Sequence, residues 1–152
     1  MEKAELINEI NDDKMSSKIE QYKLYVELMD KISERRVAAN NYFVGLNTLV
    51  LTVIGLDKFD CSKYWLLITV LGIVISLTWD YMLKSYKLLN TGKCKVIHEM
   101  EKELSFNCYA YEWEILGKGE DRKKYLPIST IEKIVPKIFV AIYFMLGIIN
   151  IF

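Results

Sequence analysis

Histidine is almost absent from this sequence, since His98 is the only one among 152 residues. A serine or cysteine triad would therefore have to use this side chain. Cys94 lies one helical turn before it and could share a metal ion with it, yet neither a CxxC nor an HExxH motif is present. The Gly-Lys-Gly segment at 117–119 lacks the spacing of a phosphate-binding loop. We therefore expect no enzyme, no metal site and no cofactor.

Long apolar runs dominate the sequence, of which 52% is hydrophobic. The first run, residues 37–56, contains no acidic or basic side chain. At about 1.5 Å per residue, a run of this length spans a hydrocarbon core roughly 30 Å thick. Further runs cover residues 64–83 and 134–152, so the pattern predicts three transmembrane helices. The first thirty residues have no apolar core, which argues against a cleaved signal peptide.

The net charge is zero, but the basic residues are unevenly placed. Of the twenty Lys and Arg residues, seven precede the first run, two lie in the loop 57–63 and eleven follow the second run. By the positive-inside rule, residues 1–36 and 84–133 are cytoplasmic, whereas the loop 57–63 and the C-terminus are external. The membrane then separates Cys61 from the other two cysteines, so we expect no disulfide within one chain.

The cytoplasmic residues before the first span divide into a tail, up to residue 15, and an amphipathic helix. An apolar seam with 3-4-3 spacing consists of Ile19, Tyr22, Val26 and Met29. It could pack on the chain's own cytoplasmic part or join subunits in a collar. No Gly or Pro interrupts residues 16–41, and residues 84–104 continue the second span. The predicted fold is an all-α membrane protein with three transmembrane helices and long cytoplasmic helical extensions of spans one and two.

Polar and small side chains recur at helical spacing inside the first two runs. In the first run they are Asn40, Asn41, Gly45, Asn47, Thr48 and Thr52, and a matching stripe in the second run consists of Thr69, Gly72 and Ser76. Such side chains favour close contact and hydrogen bonds between helices in lipid. Two interpretations remain open: packing within a three-helix bundle, or the lining of a water-filled path in an oligomer.

Asp80 is the only carboxylate within the predicted spans. It lies near the cytoplasmic end of the second span, at a depth that Arg35 or Arg36 could reach from the front of the first. A structural ion pair with one of these arginines is the favoured interpretation. A role in ion or proton passage and simple exposure to interfacial water are the alternatives.

The cytoplasmic region contains aromatic and basic side chains that could bind a ligand or a partner protein: Trp113, Arg122, Lys123, Lys124 and Tyr125. Alternatively, the aromatic rings pack on the cytoplasmic helices. A short helix is predicted at 111–116, ended by Gly117, and Pro136 is expected to kink the helix entering the third span. The region has no recognition-helix signature and no basic and aromatic residues interleaved on a sheet, so no nucleic-acid partner is expected.

Several short motifs resemble those of a known family. They are Tyr-Val-Glu-Leu-Met-Asp-Lys-Ile-Ser-Glu-Arg-Arg at 25–36, Asn-Asn-Tyr-Phe at 40–43, Leu-Asn-Thr at 46–48, the stretch 79–90, Val-Ile-His-Glu at 96–99, Glu-Trp at 112–113, Asp-Arg-Lys-Lys-Tyr at 121–125, Ile131-Glu132, and Val135-Pro136 with Phe139. Over residues 20–143 the chain resembles the RipA-type family of small octameric bacterial membrane proteins. The resemblance implies a homo-oligomer, described as an octamer, in the bacterial inner membrane, and it supplies no catalytic residue. Asp80 departs from the family pattern, in which an apolar or neutral residue is expected there.

These observations favour a homo-oligomeric inner-membrane protein that acts as a scaffold or a pore-like assembly. Its expected partners are copies of itself and membrane lipid. One alternative is a membrane-anchored regulatory module whose cytoplasmic region binds a ligand or partner protein. A second alternative is a toxin-like membrane effector.

Overall fold

The computed structural model describes residues 2–55, 64–120 and 124–149. Its elements are α1 (Glu2–Gly55), α2 (Trp65–Glu101), α3 (Cys108–Ile115), the 3-10 turn Gly117–Gly119, α4 (Ile128–Glu132) and α5 (Ile134–Ile149). No strand occurs in the described ranges, so the predicted all-α class is confirmed. The predicted external loop 57–63 lies outside the described residues.

The first helix, α1, is uninterrupted over 54 residues. No proline occurs within it, and its interior contains a single glycine, so nothing breaks the ladder of backbone hydrogen bonds. As predicted, the amphipathic helix continues into the first apolar run. The expected tail before residue 16 is itself helical. Ser16 lies inside the helix, where its hydroxyl donates to the carbonyl of Asp13 at 2.9 Å.

Two helices, α1 and α2, are long and apolar enough to cross a membrane. Only 17% and 28% of their most apolar segments are covered by the rest of the chain. The core helix of a soluble protein would bury its apolar side chains, whereas a membrane leaves them facing lipid. The third predicted span corresponds to α5, of which 16 residues are described.

The chain divides into two compact units. The first unit consists of Met1–Ser33 and Leu89–Tyr125. Met29 and Ile32 of α1 are buried in it, as are Ile97 and Glu101 of α2. Tyr22, a residue of the predicted seam, donates a hydrogen bond to Glu101 at 2.9 Å. The part of the seam that contains Tyr22 and Met29 therefore packs on its own chain, whereas Ile19 stays exposed.

The second unit consists of Glu34–Leu88 and Leu126–Phe152. Its core is formed by aromatic rings from three helices. Phe43 of α1 stacks on Trp79 of α2, with ring centroids 5.9 Å apart and planes within 6°. Phe139 of α5 lies 6.1 Å from Trp79 in a tilted arrangement. Burial of these large rings holds α1, α2 and α5 together.

The short helix α3 begins three residues earlier than predicted, and it ends as predicted before Gly117. Gly117 has a φ of 67°, a left-handed conformation that glycine adopts without a steric penalty. The next two residues, Lys118 and Gly119, also have positive φ. Gly119 lies against Trp113, since a Cβ added there would be 3.0 Å from the indole ring.

The last helical segment is broken at Lys133, between α4 and α5. Pro136 causes this break, because it has no N–H to donate and its ring would clash with the carbonyl four residues earlier, that of Glu132. Pro136 is instead accommodated in the first turn of α5, where no donor is needed. The predicted kink is confirmed.

Candidate functional site

A buried polar pair joins the two predicted spans in the second unit. Asn47 of α1 and Ser76 of α2 are both fully buried. The hydroxyl of Ser76 lies 2.9 Å from the Asn47 Oδ1 and 2.9 Å from the carbonyl of Gly72, and it can donate to either. The Asn47 Nδ2 donates to the carbonyl of Phe43 at 2.8 Å. Because unsatisfied polar groups are costly in an apolar environment, these bonds stabilise the helix pair.

Tyr143 of α5 completes this polar cluster from the third helix. Its hydroxyl donates to the backbone carbonyl of Asn47 at 3.2 Å, and the residue is fully buried. Its ring lies directly over Gly72, where an added Cβ would overlap the ring atoms. Glycine at this position therefore lets α5 approach α2 closely. The sequence reasoning missed Tyr143, although it is the only hydroxyl-bearing residue in the third apolar run.

Two further residues of the predicted polar stripes, Asn40 and Thr69, also have partners within the chain. Asn40 accepts a hydrogen bond from the indole Nε1 of Trp79 at 2.8 Å. Thr69 is buried, and a Cβ at Gly147 of α5 would lie 3.3 Å from its methyl group. The α2 stripe is thus covered by α1 and α5, as the interpretation of packing within a three-helix bundle expects.

A second polar surface on α1 is not covered. We call it the outer stripe, and it consists of Asn41, Gly45, Thr48 and Thr52. All four residues are exposed. At 100° per residue they point away from the side of α1 that carries Asn47. The two stripes predicted from the sequence therefore do not meet within one chain.

The polar groups of the outer stripe differ in how far they are satisfied. Thr48 and Thr52 donate at 2.8 Å to backbone carbonyls of their own helix, one turn earlier. Apart from the adjoining backbone of α1 and its two chain neighbours, no atom of the described residues lies within 4 Å of a Cβ added at Gly45. The Asn41 amide makes no side-chain hydrogen bond among the described residues. In a membrane such an amide needs a protein or water partner.

Large apolar side chains flank the outer stripe on both sides. They are exposed, and they include Val44 on one side and Tyr42 and Leu49 on the other. Around the circumference of α1, the order is therefore contact face, apolar flank, polar stripe and apolar flank. This order suits a helix that has protein behind it, neighbours at both sides and a polar space in front.

Two ion pairs lie near the N-terminal end of the first apolar run and the C-terminal end of the second, and they differ from the predicted one. Asp80 pairs with Lys84 of its own helix at 2.5 Å. Arg36 pairs with Glu132 of α4 at 3.3 Å, with both side chains mostly buried, and Arg35 is exposed. The predicted ion pair between Asp80 and an arginine of α1 is therefore wrong. The i,i+4 spacing on α2 brings Lys84 to Asp80, and the rotation of α1 directs Arg36 towards α4.

Comparison with known proteins places this arrangement in a family. The sequence model of the octameric membrane protein family (8xMP) matches residues 19–152. The chain belongs to this family. No curated protein and no solved structure matches the chain. The resemblance to small octameric membrane proteins is therefore confirmed, and family membership supports a membrane location and self-association.

In this 8xMP chain, a buried carboxylate organises the first unit. Glu101, at the end of α2, is fully buried. Its carboxylate accepts hydrogen bonds from the backbone N–H of Tyr109 at 2.7 Å and of Ala110 at 3.1 Å, and from the hydroxyl of Tyr22. These two N–H groups belong to the first turn of α3, so Glu101 caps that helix from a distance. The sequence contains only a weak indication that Glu101 is buried: it lies one helical turn after Ile97, which is itself buried.

The Glu101 network also shifts the ionisation of its neighbours. Burial, and then the hydrogen bond to Glu101, raise the pKa of Tyr22 well above its ordinary value. Burial, and then the negative charge of Asp30, raise the pKa of Tyr109. Both phenols therefore ionise only at a more alkaline pH than an ordinary tyrosine, and the hydroxyl of Tyr22 is the donor to the carboxylate.

The structure describes three of the five residues predicted to bind a ligand or partner protein. Trp113 and Lys124 are exposed, and Tyr125 is half-buried. Arg122 and Lys123 lie outside the described residues. Trp113 packs its indole against Gly119, so it helps to hold the turn after α3.

An open cavity of about 400 Å³ lies beside α3 in the first unit. It is lined by Ser105, Phe106, Asn107, Ala110, Tyr111 and Glu114. The rings of Phe106 and Tyr111 meet edge to face with centroids 5.7 Å apart. Within the described ranges, no group of three or more His, Cys, Asp or Glu side chains could hold a metal ion.

Proposed function

We propose that this 8xMP protein is a non-enzymatic, three-span subunit of a homo-octamer in the bacterial inner membrane, and that the octamer forms a pore-like assembly. The observation that carries the proposal is the exposed, amide- and hydroxyl-bearing outer stripe of α1 in a chain whose family is octameric. In this proposal, residues 1–36 and 84–133 are cytoplasmic and the C-terminus is external.

The packing of α5 supports a third crossing. Glu132, just before α5, pairs with Arg36, and further along α5 the residues Phe139 and Tyr143 contact Trp79 and Asn47 in turn. This order means that α5 runs parallel to α1 and antiparallel to α2. A helix in that direction carries the chain from the cytoplasmic side to the external side, as the charge distribution also predicts.

The geometry of α1 supports its position at the centre of a ring. Copies in one membrane share one orientation, so a closed ring is cyclic and joins two different surfaces of neighbouring subunits. The Asn47 side of α1 is covered by α2 and α5. Its apolar flanks are then available to the neighbouring copies, and the outer stripe faces the axis.

The size of such a ring can be estimated from helix packing. Neighbouring helix axes lie about 8–10 Å apart, so eight α1 helices in contact place their axes roughly 12 Å from the centre. Subtracting a helix radius of about 5 Å leaves an opening roughly 15 Å across. This opening is wide enough for hydrated ions and too wide for the stripes of opposite subunits to satisfy each other. Water is therefore the expected partner of Asn41.

Conductance measurements on the purified octamer test the proposal. Gly45→Trp adds a large ring at a position where a Cβ meets no other helix of the described chain within 4 Å, so the subunit should tolerate it. Eight indole rings at this level should reduce the single-channel conductance in planar bilayers severalfold. Val74→Trp is the matched control, because Val74 is 53% exposed on α2 and faces lipid in this arrangement.

Native mass spectrometry of both variants shows whether the octamer persists. An octamer that conducts equally well with and without Gly45→Trp would contradict the central position of α1. A wild-type chain that is monomeric in several detergents would contradict the assembly itself.

A membrane-anchored regulatory module is the second candidate function, and the open cavity beside α3 favours it. This cavity lies in the unit that we propose to be cytoplasmic, so a soluble ligand could reach it. Ligand binding without any conductance in the wild-type octamer would favour this module over a pore.

A further inference from the structure

We propose that the cavity beside α3 binds an organic ammonium group, either as a free solute or as the headgroup of a phospholipid. We call it the ammonium cavity. It is the open cavity lined by residues 105–107, 110, 111 and 114. This inference is independent of conduction by the octamer.

The orientation of α3 is the first step in the argument. None of its eight residues is fully buried, and only Tyr109 and Ala110 are half-buried, so most of α3 lies on the surface of the first unit. Even so, the fully buried carboxylate of Glu101 fixes its first turn through Tyr109 and Ala110. Glu101 therefore fixes the orientation of α3, and with it the position of the cavity-lining residues Ala110, Tyr111 and Glu114.

The aromatic walls of the cavity are the second step. Phe106 and Tyr111 are 60% and 54% exposed, and their planes meet at 66°. In this edge-to-face pair the edge of one ring lies against one face of the other, and the remaining ring faces stay uncovered by the pair. Cations are attracted to such faces, and aromatic side chains commonly line the sites that bind quaternary ammonium groups.

The charge of the lining is the third step. Glu114 is the only carboxylate among the residues that line the cavity, and no lysine, arginine or histidine is among them. Its carboxylate lies 3.9 Å from the ammonium of Lys118, a loose contact between two mostly exposed side chains that a ligand can replace. The helix N-terminus does not attract an anion here, because Glu101 already accepts from its N–H groups. The cavity therefore favours a cation.

Saturation-transfer NMR on the full chain in nanodiscs of phosphatidylglycerol tests the inference. The probes are choline and 3,3-dimethylbutan-1-ol, which has nearly the same shape but no charge. Choline should bind saturably and at least about threefold more tightly than the neutral alcohol, the factor that a cation–π contact at an exposed site provides. Equal binding of both probes, or no saturable binding of choline, would overturn the inference.

Substitutions locate the site. Glu114→Gln and Phe106→Leu should each weaken choline binding at least about threefold. Glu112→Gln is the matched control, since Glu112 is an exposed acid of the same helix that does not line the cavity. Choline binding that is weakened equally by Glu112→Gln, or that is unaffected by both lining substitutions, would contradict the assignment.

The same titration in nanodiscs containing phosphatidylcholine identifies the source of the ammonium group. Weaker apparent binding of free choline there supports a lipid headgroup as the occupant. Unchanged binding supports a free solute. Native mass spectra of the same samples report the octamer separately, so loss of the oligomer is distinguished from loss of the ammonium cavity.

Discussion

At the scale of single residues, glycine has opposite roles at two positions of the second unit. Gly72 is buried under the ring of Tyr143, whereas Gly45 faces open space. The first glycine is needed for contact within one subunit. The second leaves room on the surface that we place at the axis of the octamer. Replacing each glycine with alanine therefore tests two different claims: the close contact inside the subunit at Gly72 and the open space at Gly45.

Gly72→Ala should destabilise the chain by about 1–3 kcal/mol, the usual cost of overpacking a closed site. Gly45→Ala should leave stability unchanged or raise it slightly, because alanine favours a helix and meets no neighbour. Thermal unfolding in detergent, followed by circular dichroism, measures both. Combining Gly72→Ala with Tyr143→Leu should cost less than the sum of the single changes. Strict additivity would contradict the contact.

Tyr22 should make the first unit sensitive to alkaline pH. Its pKa in the folded chain is raised above the ordinary value of 10.0, first by burial and then by Glu101. The unfolded chain ionises at the lower pH, so this stabilisation is complete below about pH 10 and is lost as pH rises towards the folded pKa. Tyr22→Phe should cost about 1 kcal/mol at pH 7 and flatten the fall in melting temperature between pH 9 and 11.

The control for this prediction is Tyr111→Phe, since Tyr111 is exposed and its hydroxyl does not contact Glu101. It should keep the alkaline transition of the wild type. An equal flattening in both variants would show that Tyr22 is not the responsible group.

At the scale of elements, the capping of α3 by Glu101 can be tested directly. Glu101→Ala removes the acceptor for the N–H groups of Tyr109 and Ala110, which should destabilise the helix by about 1–3 kcal/mol. Amide hydrogen exchange should then accelerate in α3 while the apolar part of α2 stays protected. The matched control is Glu103→Ala, which removes only a surface ion pair with Lys18. Unchanged exchange in α3 would contradict the cap.

The sequence predicts those features of the elements that depend on neighbouring residues. The continuity of α1 and the break before Pro136 follow from local backbone chemistry, and the apolar runs of α1 and α2 follow from composition. Contacts between residues that are far apart in the sequence cannot be predicted from neighbouring residues or from composition. The placement of Tyr143 over Gly72 and of Glu101 at α3 depends on how helices rotate and pack. The same rotation gave Arg36 a partner in α4 instead of Asp80.

At the scale of the whole molecule, an octamer multiplies each exposed side chain into a ring of eight. Glu34 lies seven residues before Asn41, so it projects from the same face of α1, on the N-terminal side of the outer stripe. It is exposed, whereas Arg36 is turned inward to Glu132. In the proposed ring, eight carboxylates therefore surround the cytoplasmic mouth of a path lined by neutral amides and hydroxyls.

This arrangement predicts a preference for cations that depends on salt. The screening length is about 10 Å at 0.1 M salt and about 3 Å at 1 M, while the estimated radius of the opening is roughly 7 Å. The carboxylates should thus act across the whole opening at low salt and only near its wall at high salt. Reversal potentials in KCl gradients should indicate severalfold selectivity for potassium over chloride at 0.1 M and little at 1 M.

Glu34→Gln should reduce the low-salt selectivity towards unity without changing the octamer. The control is Glu120→Gln, a change after α3, which should preserve the selectivity. Retained selectivity in Glu34→Gln would place Glu34 away from the mouth and would require a different rotation of α1 in the ring.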